Sequence, residues 1–110
     1  MYRLSIIINE IYLKYLPLAS KAGLTLNLDF PDTTLTVEDG DKIKKDVEKT
    51  VSSAVSKSIK GEITIAVSKG KIVITDTGTV LSKTMINMLT NDHISVKSRV
   101  GFGTTVTIKF

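Results

Sequence analysis

The stretch Ile72-Val73-Ile74-Thr75-Asp76-Thr77-Gly78 closes an apolar run with an acid and then a glycine. Successive side chains of a strand point to opposite faces, so Ile72, Ile74 and Asp76 share one face. If the isoleucines look into the core, the Asp76 carboxylate looks into the same space and needs a partner, because an unpaired buried charge is costly. The same alternation in the last run groups Thr104, Val106, Ile108 and Phe110, with Thr105, Thr107 and Lys109 opposite. An inward acid and an inward hydroxyl on strands of one sheet can together hold an edge that both donates and accepts, such as that of adenine, with a water between them. A plainer reading makes Asp76 a turn cap acting through Gly78 and Thr104 a small strand residue. Spacing alone leaves both open.

Few other chemistries are available. The 110 residues contain no cysteine and a single histidine, His93, which excludes thiolate chemistry and a two-histidine metal site. His93 reads as a strand neighbour, and no serine, histidine and acid triad forms around it. The formal charge of +4 comes from scattered lysines, never more than two basic residues in a row. With few aromatics and no basic cluster, nucleic acid is not an expected partner. The segment from Met1 to Leu18 is apolar but carries Arg3, Asn9, Glu10 and Lys14, and has no small-residue cleavage site. It reads as an amphipathic helix rather than a signal or a membrane span, so no membrane contact is expected.

The elements that must position Asp76 and Thr104 follow from periodicity. Leu4, Ile7, Ile8, Ile11, Tyr15, Leu18 and Ala22 keep a 3.6-residue spacing and predict a first helix, interrupted by Pro17 and stopped by Gly23. Leu24, Leu26, Leu28 and Phe30 alternate with polar residues as a half-buried strand, and Thr34 to Val37 is a short extended piece. Ile43, Val47, Val51, Ala54 and Ile59 mark a second helix, capped by Asp39 or Asp41. Glu62 to Ser68 and Lys71 to Asp76 form a hairpin across Lys69-Gly70. Leu81 to Leu89 predicts a short third helix, and Ile94 to Ser98 with Thr104 to Phe110 a closing hairpin. The sum is one α+β domain over residues 1–110, a two-layer sandwich. About three helices cover one face of a mixed, mostly antiparallel sheet of about five strands. Thr25, Asn27, Thr64, Thr105 and Thr107 are expected on the uncovered face.

In this order, Lys60-Gly61-Glu62-Ile63-Thr64-Ile65, Ile74-Thr75-Asp76-Thr77-Gly78, Val96-Lys97-Ser98-Arg99 and Gly101-Phe102-Gly103-Thr104-Thr105-Val106 resemble the catalytic, ATP-binding domain of bacterial sensor histidine kinases. The likeness extends over nearly the whole chain. It implies the Bergerat-type sandwich shared with gyrase and heat-shock chaperone ATPases. It also implies roles at the adenine end of a nucleotide pocket: Asp76 accepting from the adenine amino group, Gly78 letting the backbone approach the base, and Thr104 sharing the adenine-bound water.

The departures from the family concern phosphate and metal. The asparagine places of the second helix fall on Lys49 and Ser53, and a following lysine, Lys57, stands one residue later than usual. An ammonium cannot ligate magnesium. Lys49, Ser53 and Lys57 are candidates for direct phosphate contact, although solvated surface lysines are the commoner case. Val80 occupies a place where the family has a further glycine, and the interval from Thr79 to Val100 contains no glycine at all. The family's lid and second glycine-rich phosphate loop therefore have no counterpart here.

The resemblance thus implies a degenerate cytoplasmic kinase-type domain. ATP binding is expected to be weak or lacking, magnesium is not expected, and no residue is assigned a catalytic step. Such a domain acts as a module in a signalling assembly, with a protein partner such as a histidine-bearing dimerisation domain. The alternatives are a minimal active domain that phosphorylates a histidine on a partner, and a non-enzymatic basic-surface binding module.

Overall fold

Two long helices cross one face of a five-stranded sheet, and along its strands buried residues alternate with more exposed ones. The computed structural model describes residues 2–31, 34–57, 61–77, 83–99 and 103–110.

Helix α1 (Leu4–Lys21) buries Leu4, Ile7, Ile8, Ile11, Tyr15 and Ala19. The stripe departs from expectation at its end, where Ala19 is buried while Leu18 and Ala22 are exposed. The step from Tyr15 to Ala19 is i to i+4, which keeps the small residue against the sheet. Pro17 does not interrupt the helix, which runs through it to Lys21. The ring is exposed, so the Leu13 carbonyl that loses its donor lies on the solvent side. Gly23, at φ 79°, turns the chain out of the helix, with its N–H donating to the Ser20 carbonyl at 3.1 Å.

Helix α2 (Gly40–Lys57) starts where the Asp39 carboxylate accepts from the Lys42 N–H at 3.0 Å, so Asp39 is the cap. Ile43, Val47, Thr50, Val51 and Ala54 form its buried stripe; Ile59 lies outside the described residues. The two helices are tied by the Lys14–Glu48 ion pair, by the Tyr15 hydroxyl donating to Glu48 at 3.3 Å, and by Lys44 beside Glu10 at 3.6 Å. The hydrogen bond and charge of Glu48 raise the Lys14 pKa, and the hydrogen bond from Lys14 lowers that of Glu48.

The sheet order is β2 (Leu24–Asp29), β4 (Gly61–Ser68), β5 (Lys71–Asp76), β7 (Gly103–Lys109), β6 (Ile94–Arg99). Among the described residues only β2 and β4 pair in parallel. A two-residue ribbon, β1 (Tyr2–Arg3) against β3 (Thr36–Val37), stands apart from the sheet and fixes the start of α1, whose Leu4 N–H donates to the Leu35 carbonyl at 3.0 Å. Helix α3 (Lys83–Leu89) packs on β6. The expected first residues of that helix, Leu81 and Ser82, lie outside the described residues.

Register arranges the covered face in rows. Val67, Ile72, Ile108 and Ile94 make one row, and Ile65, Ile74, Val106 and Val96 the next. Ile65, Ile72 and Ile108 are 0 % exposed, so truncating any of them to alanine costs about 2–5 kcal/mol. The opposite face carries Thr25, Asn27, Thr64, Thr105 and Thr107, all partly or fully exposed, as the alternation predicts.

Candidate functional site

The third row of the covered face differs in chemistry from the other two. It runs Ile63, Asp76, Thr104, Ser98 across four strands, replacing three apolar side chains with an acid and two hydroxyls. Asp76 and Thr104 are direct cross-strand partners and are 5 % and 6 % exposed. Paired residues of adjacent strands hold their Cβ atoms roughly 5 Å apart, close enough to act on one small group. The Ser98 and Thr104 hydroxyls lie 2.9 Å apart and share a hydrogen bond. The inward parity of Asp76 and Thr104 is as the strand alternation requires.

Two backbone features hold this row in place. At the end of β5 the Thr77 hydroxyl accepts from the Glu62 N–H at 3.0 Å, and the Thr77 N–H donates to the Glu62 carbonyl at 3.1 Å. Across from it, Gly103 adopts φ +79°, and a Cβ there would stand 1.9 Å from the Asp76 carbonyl oxygen. Gly103 is thus required by close packing of backbone on backbone, and it brings Thr104 beside Asp76. Residue order places Gly103 only in a connecting hairpin; a glycine one residue before an inward threonine is the signal that marks it.

Helix α2 roofs the row. A cavity of about 20 Å³ lies beneath it, walled by Thr50, Ser53, Ala54, Ile74, Asp76, Leu89, Thr104 and Val106. By this measure of volume there is room for about one water and not for a purine ring. Leu89, 7 % exposed at the end of α3, forms one wall, so a flat base needs movement of that helix or of α2. Thr50 is a wall residue that no motif marks. It is 5 % exposed and its hydroxyl donates to the Asp46 carbonyl at 2.9 Å. Its position three residues after Val47, on the apolar stripe, is the clue the sequence offers.

Of the candidate phosphate contacts, Ser53 lies at the cavity wall and Lys49 is exposed on the helix surface. Gly78 and the side chain of Lys57 lie outside the described residues. The structure therefore brings together Asp76, Thr104 and Ser53, and leaves Lys49 away from the cavity lining. The acid, the hydroxyls and the inward parity fit a nucleobase edge in chemistry, while the cavity volume does not fit one in size. A metal and triphosphate fit less well. Lys49 offers no lone pair, and no group of three His, Cys, Asp or Glu side chains converges among the described residues. None of the described helices is long and apolar enough to cross a membrane.

No family model matches the chain by sequence, and no curated protein does. Solved structures do match by shape. The histidine kinase AdeS of Acinetobacter baumannii is 16 % identical with a TM-score of 0.74, over 99 % of this chain and 64 % of its own. The cytoplasmic segment of the histidine kinase QseC is 11 % identical with a TM-score of 0.75, over 98 % of this chain and 74 % of its own. The nucleotide-free catalytic domain of the histidine kinase ThkA is 15 % identical with a TM-score of 0.68, over 98 % of this chain and 92 % of its own. ThkA also matches in a crystal structure with the response regulator protein TrrA, of which the chain spans 40 % of the kinase. This chain spans about two thirds of the AdeS chain and nearly the whole isolated ThkA domain. With three helices on a five-stranded mixed sheet among the described residues, and the polar row on its covered face, it has the histidine kinase-like ATPase fold.

Proposed function

We propose that this chain is a reduced, cytoplasmic ATP-binding-type domain of the bacterial histidine kinase class, which handles nucleotide weakly or not at all and works through protein contacts in a signalling assembly. The observation that carries the reading is the roof of the Asp76 cavity. Where a working domain needs ligands for magnesium and phosphate, α2 presents an exposed Lys49 and a short Ser53 over a cavity of about 20 Å³. Binding then depends on the base alone. A missing charge-assisted hydrogen bond to phosphate costs about 1.5–3 kcal/mol, and two or three of them together weaken affinity roughly a thousandfold or more.

A role in protein contact is supported by α1, which leaves Ile6, Leu13 and Leu18 at 65 %, 59 % and 51 % exposure. The ThkA–TrrA complex makes a response-regulator-type protein a reasonable partner class, alongside a histidine-bearing dimerisation domain. A second reading, a minimal working domain that donates phosphate to a partner's histidine, draws its support from the row of buried Asp76 and Thr104 with half-buried Ser98.

Titration of the full chain with ATP, ADP and adenosine, with and without magnesium, followed by thermal stability, separates the two. The expected result is similar, weak binding of all three, with dissociation constants near or above about 1 mM and little effect of magnesium. Magnesium-dependent affinity in the micromolar range establishes the working domain instead. A salt-dependent response to an oligonucleotide in place of nucleotide points to a basic-surface binding module.

A further inference from the structure

A wide concavity lies at the opposite end of α2 from Asp76. It is a groove of about 710 Å³, between the segment Thr34–Asp39 and the first turns of α2 on one side and the far end of the sheet on the other. That volume falls in the range of small-molecule sites. Its apolar lining comes from Leu35, Val37, Ile43 and Phe110, the last an aromatic ring in a residue 38 % exposed. The Phe110 N–H donates to the Gly70 carbonyl at 3.0 Å and the Lys109 N–H to the His93 carbonyl at 2.8 Å, which fixes the ring's backbone at the sheet end.

The charges of the groove are balanced and largely segregated. Glu38, Asp39 and Asp46 belong to the helix side together with Lys42, whereas Lys69 and Lys109 belong to the sheet side, the first on the β4–β5 turn and the second beside it at the end of β7. Asp39 is engaged as the α2 cap. Asp46 is not satisfied: its Oδ2 is enclosed by protein and accepts no hydrogen bond from the described residues. Asp46 also lines the groove, so its other carboxylate oxygen can accept from a protonated amine bound there. A purely cationic ligand meets Lys69 and Lys109, and a purely anionic one meets Glu38 and Asp46. A molecule with both charges meets a partner at each side.

We propose that this groove binds a small zwitterion with an apolar body, the chemistry of apolar amino acids and their dipeptides. Its ammonium sits at Asp46, its carboxylate at Lys69 and Lys109, and its body on Val37, Ile43 and Phe110. The site shares no lining residue with the Asp76 cavity, so it stands whether or not the chain binds nucleotide.

The test uses the full ¹⁵N-labelled chain and L-phenylalanine as probe, with phenethylamine and 3-phenylpropionate as its single-charge counterparts. L-Phenylalanine should shift the amides of Ile43, Lys69 and Phe110 with a dissociation constant on the order of 1 mM, as suits a ligand of that size. Each counterpart should bind about ten times more weakly. Asp46→Asn should weaken L-phenylalanine about tenfold and bind 3-phenylpropionate no more weakly than the parent does; Lys109→Gln should weaken L-phenylalanine similarly and bind phenethylamine no more weakly than the parent does. If Asp46→Asn does not fold, Lys109→Gln at the strand end decides alone. Shifts absent from these three amides, shifts spread evenly over the chain, or equal binding of either counterpart would each overturn the proposal.

Discussion

The two ends of α2 face the sheet with opposite arrangements. At its C-terminal half, Thr50, Ser53 and Ala54 close over Asp76 and Thr104 until about 20 Å³ is left. At its N-terminal half, Ile43 and Asp46 border an open groove of about 710 Å³. In the closed end the hydroxyls find partners, Ser98 with Thr104 and Thr50 with a helix carbonyl. In the open end a carboxylate oxygen finds none among the described residues. Polar groups between a helix and a sheet have two outcomes: mutual satisfaction, which shrinks the space between them, or an enclosed acceptor left without a donor, which costs stability. The end proposed for nucleotide is, in this chain, the more self-sufficient one.

The hardest way to break that contrast is at Gly103. Gly103→Ala places a Cβ where the Asp76 carbonyl stands and forces a strained φ. A loss of about 3 kcal/mol or more is expected in urea unfolding. In any folded fraction, the amides around Asp76 should be disturbed more than those of Val37 and Lys69. Equal stability of the variant would mean that the backbone contact does not hold the closed end.

Restoring the metal side is the next largest change. Lys49→Asn with Ser53→Asn returns carboxamides to the two family places and should make ATP affinity rise with magnesium by about tenfold, the worth of one ligand. Isothermal titration at matched ionic strength measures it. If affinity stays independent of magnesium, features outside α2 dominate, and the side chains of α2 are secondary.

Asp76→Asn tests the base end with little change of shape. Stability should stay within about 1 kcal/mol of the parent, while any stabilisation by adenosine disappears because the amide no longer presents two acceptors. A variant that responds to adenosine like the parent removes Asp76 from the nucleotide reading.

The smallest effect concerns the clasp between the helices. The Glu48 pKa is lowered in the folded chain, so its contribution is present above the ordinary carboxylate pKa and is lost as pH falls through the folded value. Lys14 titrates upward from its ordinary value, so its share is present at neutral pH and lost only at strongly alkaline pH. Glu48→Gln should therefore narrow the difference in Tm between neutral and acid solution by no more than a few degrees, as suits a largely solvent-screened pair.

Much of this arrangement was legible from residue order. Alternation alone put Asp76 and Thr104 on the covered face and Thr105 and Thr107 on the other, because strand geometry leaves no intermediate choice. Helix faces were legible to within a residue, failing at Leu18 and Ala19, where 3.6-residue spacing admits either and packing decides. Pro17 misled because propensity sees the missing donor and not which side of the helix it faces. The ribbon of Tyr2–Arg3 with Thr36–Val37 is too short to carry a periodic signal. The groove was invisible for another reason: its walls come from four separated stretches, around residues 34–46, 69–70, 93 and 109–110, none of which bears a motif. Sites built by topology rather than by a local pattern are read only from the fold.

The sheet order also shapes how the chain acquires its fold. β7 lies inside the sheet, between β5 and β6, although β6 precedes it in sequence. While β7 is still unavailable, β6 has no sheet neighbour and β5 shows a bare edge bearing Ile72 and Ile74, both apolar and β-branched. During synthesis this is a period of stickiness: the half-made sheet invites any extended strand to add to it, and only the arrival of Thr104, Val106 and Ile108 ends the invitation. The polar row is completed by the same event, so the pocket chemistry and the protection from aggregation mature together.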